Sequence, residues 1–190
     1  MTKVLFDTSM SLDGYMTGPN QTAEEPLGDG GQRLHDWAMG EDERGSELLR
    51  SWSSALGAVI AGRRTYDDSV PWWGPDGPTG ELRAPVFVLS HDEPAEVPEN
   101  GVYTFVDGIE PVMDRARAAA GDGNVVVMGG ADTGRQFIAA GLVDEIQIHL
   151  VPVLFGGGTR MFEDLQAELE QLEVVQSAAA THLLYRVSGR

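Results

Sequence analysis

Short apolar runs alternate along the chain with segments in which apolar residues recur every three or four positions. A short run bounded by glycine or proline is typical of a buried strand, and the longer spacing is typical of an amphipathic helix. The runs predict strands at Val4–Ser11, Ala58–Ala61, Pro85–Ser90, Val102–Val106, Val125–Met128, Glu145–Leu150 and Thr181–Val187. The longer spacing predicts helices at Arg33–Met39, Ser46–Leu56, Pro111–Ala120 and Asp132–Ala140, and it recurs at Leu165, Leu169 and Leu172.

The order of these elements predicts the fold class. Strands that alternate with helices are typical of an α/β domain built in layers. The last strands are hairpin-like, so the sheet is expected to be mixed rather than purely parallel. Gln21–Gln32 and Val70–Gly80 are rich in glycine and proline and are predicted to be loops. No repeat or linker divides the chain, so residues 1–190 are expected to form one domain.

The predicted strand Glu145–Leu150 alternates between apolar and polar residues. A period of two predicts one buried side and one solvent-facing side. The residues expected to point inward are Ile146, Ile148 and Leu150. The residues expected to point outward are Glu145, Gln147 and His149.

The charge balance narrows the range of partners. The chain has 13 Lys and Arg against 30 Asp and Glu, a formal net charge of −17 at pH 7. Nucleic acids and anionic membranes require a basic surface, so neither is expected as a partner. Without cysteines and with scattered surface or network histidines (His35, His91, His149 and His182), no metal site is predicted. No apolar run reaches about 18 residues and no signal-peptide pattern is present, so a cytoplasmic location is expected.

Three predicted strands end in residues suited to binding phosphate. Gly129-Gly130 follows three valines and a methionine, and a predicted helix begins within a few residues. Glycine permits a sharp turn and a close approach, and a helix N-terminus presents unpaired N–H groups. Gly62-Arg63-Arg64-Thr65 and Ser90 follow two other strands. Ligands of open α/β sheets bind beyond the carboxyl ends of strands, so these residues predict a dinucleotide site.

Each of these features also has an ordinary structural interpretation. A glycine pair after a strand often forms only a turn, and an arginine pair often lies on a solvated surface. The hydroxyls of Thr65, Ser90 and Thr133 add donors at the same strand ends, and the joint occurrence favours the nucleotide interpretation. The chain contains no P-loop motif, no nucleophile elbow and no G-x-G-x-x-G after a strand.

The motifs, taken in order, resemble those of a known family. They are Ser11-Leu12-Asp13-Gly14-Tyr15, Gly18-Pro19-Asn20, Gly62-Arg63-Arg64-Thr65-Tyr66, Val86-Phe87-Val88-Leu89-Ser90, Met128-Gly129-Gly130-Ala131, and Phe155-Gly156-Gly157-Gly158-Thr159-Arg160-Met161-Phe162. Over essentially the whole chain they resemble the dihydrofolate-reductase-like family typified by the reductase domain of bacterial bifunctional riboflavin-biosynthesis proteins. The zinc-binding residues of the deaminase half of those proteins have no counterpart here, which weakens a riboflavin-pathway assignment.

The resemblance implies a three-layer α/β/α fold around a mixed, mostly parallel sheet, with NADPH as hydride donor and a homodimer. It implies that the adenosine-side phosphates are met by Gly62, Arg63, Arg64 and Thr65, with Ser90 near the ribose 2′-phosphate. It implies that the pyrophosphate is held by Gly129, Gly130, Ala131, Asp132 and Thr133, and that Ser9 flanks the nicotinamide. Asp92 and Glu93 follow Ser90 and disfavour a 2′-phosphate, so NADH stays open beside NADPH.

The expected function is reduction of a small heterocycle, pterin-like or pyrimidine-like. Hydride goes to the carbon of a C=N or C=O bond, and a proton must also reach the substrate. The candidate proton donors are Asp13 and Asp36. The alternative role of Asp13 is to stabilise an Asx turn, and the alternative for Asp36 is a solvated helix residue without a catalytic role. Trp37, Trp72 and Trp73 are expected either to stack on the substrate or to seal the core. The rival interpretations are a flavin- or deazaflavin-dependent reductase and a non-catalytic nucleotide-binding dimeric module.

Overall fold

One eight-stranded sheet runs through the protein. The computed structural model describes residues 2–40 and 42–188. Its strands are β1 Val4–Ser11, β2 Leu56–Gly62, β3 Val86–Leu89, β4 Tyr103–Val106, β5 Asn124–Met128, β6 Glu145–Val151, β7 Glu168–Gln176 and β8 Thr181–Ser188. In space they lie in the order β4-β3-β2-β5-β1-β6-β8-β7. β8 pairs antiparallel with β6 and β7, and the other described pairs are parallel, so the sheet is mixed and mostly parallel.

Helices cover both faces of this sheet. In the described chain they are α1 Asp36–Met39, α2 Glu43–Ser53, α3 Arg63–Trp73, α4 Ile109–Ala120 and α5 Ala131–Ala139, with 3-10 helices at Gly31–His35 and Gly74–Leu82. α4 and α5 pack on one face, where Val112 and Phe137 lie in one cluster with Phe6. α3 packs on the other face through Tyr66, and Trp37 of α1 lies on that face against β6. The predicted three-layer α/β/α fold class is confirmed.

The prediction for the polar side of β6 is wrong. Glu145, Gln147 and His149 are only 5%, 2% and 1% exposed. β6 lies between β1 and β8 in the interior of the sheet, and α1 covers the face that carries His149. An interior strand that is covered on both faces buries its polar positions as well as its apolar ones. The alternation therefore separates two buried faces of different chemistry.

The helical interpretation of the C-terminal leucines is also wrong, because Leu169 and Leu172 lie in β7. β7 is an edge strand whose register shifts between Gln171 and Glu173, and this irregularity disturbs the period of two. Most of its side chains are exposed, so the strand carries little of the apolar signal that marks an interior strand.

The loop predicted at Val70–Gly80 is largely helical. α3 continues through Pro71 to Trp73, and the 3-10 helix follows directly. Pro71 is tolerated because it lies close to the end of the helix, where it interrupts few backbone bonds. The glycines of this segment adopt positive φ and bend the 3-10 helix rather than form an open loop.

The other predicted strands and helices are confirmed, with ends that differ by a few residues. α2 begins at Glu43 rather than at Ser46, because the Asp42 carboxylate accepts a hydrogen bond from the Gly45 N–H at 3.0 Å and caps the helix. None of the helices within residues 2–40 and 42–188 has the length and apolar character needed to cross a membrane.

Candidate functional site

Two loops meet at the carboxyl edge of the sheet. β2 ends at Gly62 and α3 begins at Arg63, while β5 ends at Met128 and α5 begins at Ala131. β2 and β5 are neighbouring parallel strands, so both loops and both helix N-termini lie at the same edge. The first N–H groups of each helix have no intrahelical acceptor, which makes the edge suitable for an anion.

Glycine is required where these two loops touch. A Cβ at Gly129 would lie 2.6 Å from Thr65 Cγ2, and a Cβ at Gly62 would overlap Thr133 Oγ1. Gly129 and Gly130 have φ of +77° and +76°, a region that L side chains rarely adopt. A Cβ on Gly130 would meet the Oγ1 atoms of both threonines, at 3.2 and 3.3 Å. The glycines therefore let both threonine hydroxyls lie close to the Gly130 backbone.

Thr65 and Thr133 make no side-chain hydrogen bond to any other residue in the described chain. Thr133 is only 6% exposed, so its hydroxyl is held in place by packing while it lacks a protein partner. Two such hydroxyls beside the N–H groups of two helix N-termini form a converging set of donors. Phosphate oxygens fit this set, since they accept several hydrogen bonds at one point.

The first residues of α5 contribute in different ways. Ala131 is 4% exposed and packs in the core, so only its backbone faces the site. Asp132 is exposed, and its carboxylate accepts a hydrogen bond from Gln136 Nε2 at 2.7 Å. The Asp132 side chain is thus bound along its own helix, and its expected contribution to an anion site is limited to its N–H group.

Arg63 links the ends of β2 and β3. Its Nη1 donates to Ser90 Oγ at 3.2 Å and to the Asp92 carbonyl oxygen at 2.9 Å. Its Nε donates to the Asp67 carboxylate at 2.8 Å. The structure therefore brings Arg63 and Ser90 together, as their expected shared role requires, and fixes the guanidinium before any ligand binds.

Arg64 lies apart from this contact. Its side chain is 73% exposed, and its Nε lies 3.5 Å from the Asp68 carboxylate one turn along α3. Each arginine of the pair therefore has an aspartate partner four residues later, which reduces the positive charge at this edge. The exposed Asp92 side chain adds a further carboxylate beside Ser90.

Asp13 ties two loops together. Its carboxylate accepts hydrogen bonds from Ser11 Oγ at 2.6 Å and from the N–H groups of Gly156 and Phe155 at 2.7 and 3.1 Å. The Ser11 hydroxyl has the largest effect and lowers the pKa of Asp13; desolvation comes next and raises it, but the two N–H groups lower it further, so the pKa lies below its ordinary value. The Asp13 carboxylate is therefore ionised at neutral pH and fixes the glycine-rich loop.

Asp36 is the first residue of α1. Its side chain is exposed, and its backbone oxygen accepts from the Gly40 N–H at 2.8 Å. Within the described residues no hydrogen bond or ion pair joins the Asp36 side chain to the strand-end residues.

Ser9 lies on β1, on the face covered by α1. Its Oγ accepts a hydrogen bond from Trp37 Nε1 at 3.0 Å. Trp37 is 5% exposed and packs on the His149 ring with a centroid separation of 4.0 Å. Trp72 is 70% exposed, and Trp73 packs in the cluster around Tyr66. Trp37 and Trp73 therefore seal the core, which was one of the two expected roles.

A buried polar chain next to Ser9 was missed by the sequence reasoning. His149 Nε2 lies 3.0 Å from Asp7 Oδ1, and His149 Nδ1 lies 2.8 Å from His182 Nδ1. His182 Nε2 lies 3.0 Å from Ser177 Oγ. No local motif marks this contact, which forms because β6 and β8 are an antiparallel pair in which His149 and His182 are directly opposite.

Burial is the main cause that lowers the pKa of His182, to about 4, and the neighbouring His149 adds to it. His182 is therefore neutral at pH 7. Burial likewise lowers the pKa of His35, which lies close enough to His149 to be affected by its charge. His35 Nδ1 and Gln147 Nε2 are buried and have no hydrogen-bond partner in the described chain.

The sheet order and the three layers are those of a dihydrofolate-reductase-like fold. Dihydrofolate reductase from Enterococcus faecalis, complexed with NADP(H) and RAB-propyl, has a TM-score of 0.64 at 14% identity, over 98% of this chain and 97% of that one. A putative riboflavin biosynthesis protein from Shewanella sp. PV-4 has a TM-score of 0.69 at 25% identity, over the whole of both chains. These similarities define the fold class.

The family model described as RibD C-terminal domain matches residues 2–183, and the chain belongs to this family. The Bacillus subtilis (strain 168) protein YyaP is 21% identical over 201 residues, which cover 98% of this chain and 96% of that protein. The family resemblance seen in the motifs is therefore confirmed.

Proposed function

We propose that the protein is an NADPH-dependent reductase that transfers hydride to a small pterin-like or pyrimidine-like substrate. The observation that carries this proposal is the contact at the carboxyl edge, where Thr65 and Thr133 present two unpartnered hydroxyls around Gly130. Membership of the RibD C-terminal domain family supports reductase chemistry at this edge. A dinucleotide fits because its pyrophosphate needs several converging donors and a close approach of the backbone.

The cofactor would supply the hydride when bound, and the residues of the chain would bind and orient it. The N–H groups at the starts of α3 and α5 and the hydroxyls of Thr65 and Thr133 would hold phosphate oxygens. Arg63 and Ser90, already in contact at 3.2 Å, would lie at the ribose end. Asp67 and Asp92 beside them disfavour a 2′-phosphate, so NADH is the natural competitor of NADPH in the test.

Asp13 acts in this proposal as a positioning residue. Its carboxylate is ionised and engaged by three donors, so it holds the glycine-rich loop of residues 155–158 beside the site. Proton donation is assigned to another group, because an ionised carboxylate with three hydrogen bonds is a poor acid at neutral pH.

Calorimetry with a threonine variant tests the proposal. Thr133→Ala removes one donor to a charged phosphate, so NADPH is expected to bind about 10- to 100-fold more weakly while the protein stays folded. Thr104→Ala is the matched control, because Thr104 lies on β4 and is exposed. Thermal unfolding with NADPH, NADH and FMN gives the second readout, since a ligand of the native state raises the midpoint.

The nucleotide series distinguishes the reductase proposal from its alternatives. No shift with any of the three nucleotides contradicts the reductase proposal. A larger shift with FMN than with NADPH supports the flavin-dependent alternative, and a larger shift with NADH reverses the cofactor preference. Binding of NADPH without turnover of any pterin or pyrimidine supports the non-catalytic alternative.

We also infer a homodimer and a cytoplasmic location from the family resemblance. Leu12 and Leu154 are 60% and 70% exposed, and the Leu12 N–H donates to the Val153 oxygen at 2.9 Å, so the two leucines are close neighbours on the surface. Adjacent exposed apolar side chains are typical of an interface. Sedimentation velocity at micromolar concentration tests the dimer.

A further inference from the structure

A partly open strip lies on the sheet face that carries α1 and α3. Leu5 and Asp7 of β1 and Met128 of β5 are partly exposed, although β1 and β5 are central strands. The next strands outward are covered, by α3 over β2 and β3 and by Trp37 over β6. A central strand that is left partly exposed between two covering layers forms the floor of a groove.

Asp7 lies in this groove next to the proposed cofactor site. In the parallel register it is opposite Met128, the residue directly before Gly129. Neighbouring strands are about 4.8 Å apart, so the Asp7 backbone lies one strand spacing from the strand that leads into the two-loop contact. A substrate that reaches a nicotinamide from this side would meet Asp7.

The two oxygens of the Asp7 carboxylate differ. Oδ1 lies 3.0 Å from His149 Nε2, whereas Oδ2 has no hydrogen bond or ion pair with another described residue. The side chain is 27% exposed. One oxygen is thus anchored from below, and the other is an available acceptor at the floor of the groove.

The two histidines behind Asp7 hold each other in place. Only one hydrogen fits between the two Nδ1 atoms of His149 and His182, which are 2.8 Å apart. Burial and the neighbouring His149 hold the pKa of His182 at about 4, so His182 is neutral at pH 7. The hydrogen bond to His182 on one side and the contact with Asp7 on the other fix the orientation of the His149 ring.

Other charged and titratable groups face this histidine pair. His35 packs near His149, and Asp42 and Arg44 act on His182 with opposite sign. Burial by itself would raise the pKa of Asp42, but hydrogen bonds from the Gly45 N–H, Ser177 and the Ala179 N–H outweigh it and leave that pKa below its ordinary value. Asp42 is therefore ionised at neutral pH, and its carboxylate acts on the His182 end of the chain.

We propose that Asp7 is the substrate-recognition residue of this chain, and that His149, itself held by His182, is the positioning residue that fixes the Asp7 carboxylate. The substrate class is a flat nitrogen heterocycle with an N–H donor edge, such as an aminopyrimidine, because a carboxylate oxygen accepts hydrogen bonds from N–H groups. This inference rests on the proposed reductase function for the reaction that follows recognition.

Calorimetry with two pyrimidines tests the recognition. The probes are 2,4-diaminopyrimidine and 2,4-dimethoxypyrimidine, which share a ring and differ in N–H donors. Wild-type protein is expected to bind the diamino probe at least about tenfold more tightly, and Asp7→Asn, which keeps an acceptor toward His149, is expected to remove the difference. Asp114→Asn, an exposed change on α4, is the control and is expected to match the wild type.

Long-range 1H–15N NMR spectra of the histidine rings give a second measurement, because ligand binding would leave the ring signals unchanged if the Asp7–His149–His182 chain had only a structural role. The diamino probe is expected to shift the His149 ring signals in the wild type and not in Asp7→Asn, with signals assigned by His149→Gln and His182→Gln. Equal affinity of the wild type for both probes, or the same preference in Asp7→Asn, overturns the inference.

Both probes are measured with and without NADPH, which separates the two proposals. If NADPH binds but the probe preference does not depend on Asp7, the reductase proposal stays intact and Asp7 is excluded as the recognition residue. An Asp7-dependent preference without NADPH binding supports the recognition residue and contradicts the reductase proposal.

Discussion

Alanine at Gly129 tests the two-loop contact most directly. Gly129 has φ of +77°, and a Cβ there would lie 2.6 Å from Thr65 Cγ2 and 3.1 Å from Thr65 Oγ1. The left-handed backbone costs an L residue about 1–2 kcal/mol. Overpacking against Thr65 adds about 1–3 kcal/mol unless Thr65 changes rotamer. A changed rotamer would relieve the clash, but it would move the Thr65 hydroxyl out of the site.

Gly121→Ala is the matched control for this variant. Gly121 also has a positive φ, +57°, but a Cβ there would have no atom within 4 Å. Its expected cost is therefore the backbone strain alone, about 1–3 kcal/mol for a sparsely populated backbone region. For a chain of this length 1 kcal/mol corresponds to about 2–4 °C in Tm, so the two variants are separable by calorimetry.

The expected result has two parts. If Thr65 keeps its rotamer, Gly129→Ala lowers the Tm by more than Gly121→Ala does. If Thr65 changes its rotamer, the clash is relieved but the hydroxyl leaves the site. In both cases NADPH is expected to bind about tenfold or more weakly. Gly121→Ala leaves the nucleotide affinity unchanged. Wild-type nucleotide affinity in Gly129→Ala would refute the reasoning that this glycine lets the cofactor site form.

Two further predictions concern the charged groups. Arg63→Ala is expected to weaken NADPH binding more than Arg64→Ala, because only Arg63 contacts Ser90; equal affinities in titration calorimetry would contradict this. His182 takes up a proton in the unfolded chain at its ordinary pKa of 6.5 but in the folded chain only at about 4, so the free energy of unfolding falls as the pH falls through this interval. The loss over the whole interval is about 3 kcal/mol, and about 2 kcal/mol of it falls between pH 7 and pH 5, where urea unfolding measures it. His182→Asn should show a smaller pH dependence than the wild type, and the same slope in both proteins would contradict the assignment.

The sequence predicted the layered fold because the interior strands have strong and simple signals. The valines of β5 and the glycines that follow them mark both a buried strand and its end. Gly62 with Thr65, and Gly129 with Thr133, are local motifs whose residues stay close to one another in any fold that pairs β2 with β5. The strand-end part of the candidate site was therefore accessible from residue types and spacing.

The Asp7–His149–His182 chain was not accessible in the same way. Its members come from β1, β6 and β8, and their contact depends on a register that no single segment specifies. The alternation of β6 predicts one buried and one solvated side, which places His149 in solvent. In the structure His149 is buried because Trp37 packs on its ring, and Trp37 belongs to a short helix more than a hundred residues earlier in the chain.

The central position of β1 also shapes how the chain acquires its structure. β1 pairs with β5 and β6, and the Val4 N–H reaches the Asp144 carboxylate across 140 residues of sequence. During synthesis the apolar β1 therefore waits for both neighbours until Val151 has left the ribosome. Closing such long loops is slow, because the chain loses entropy before the contacts form. The strand that positions Asp7 and Ser9 is thus made before both of its neighbours, and until they follow it is exposed to chaperones and to mispairing.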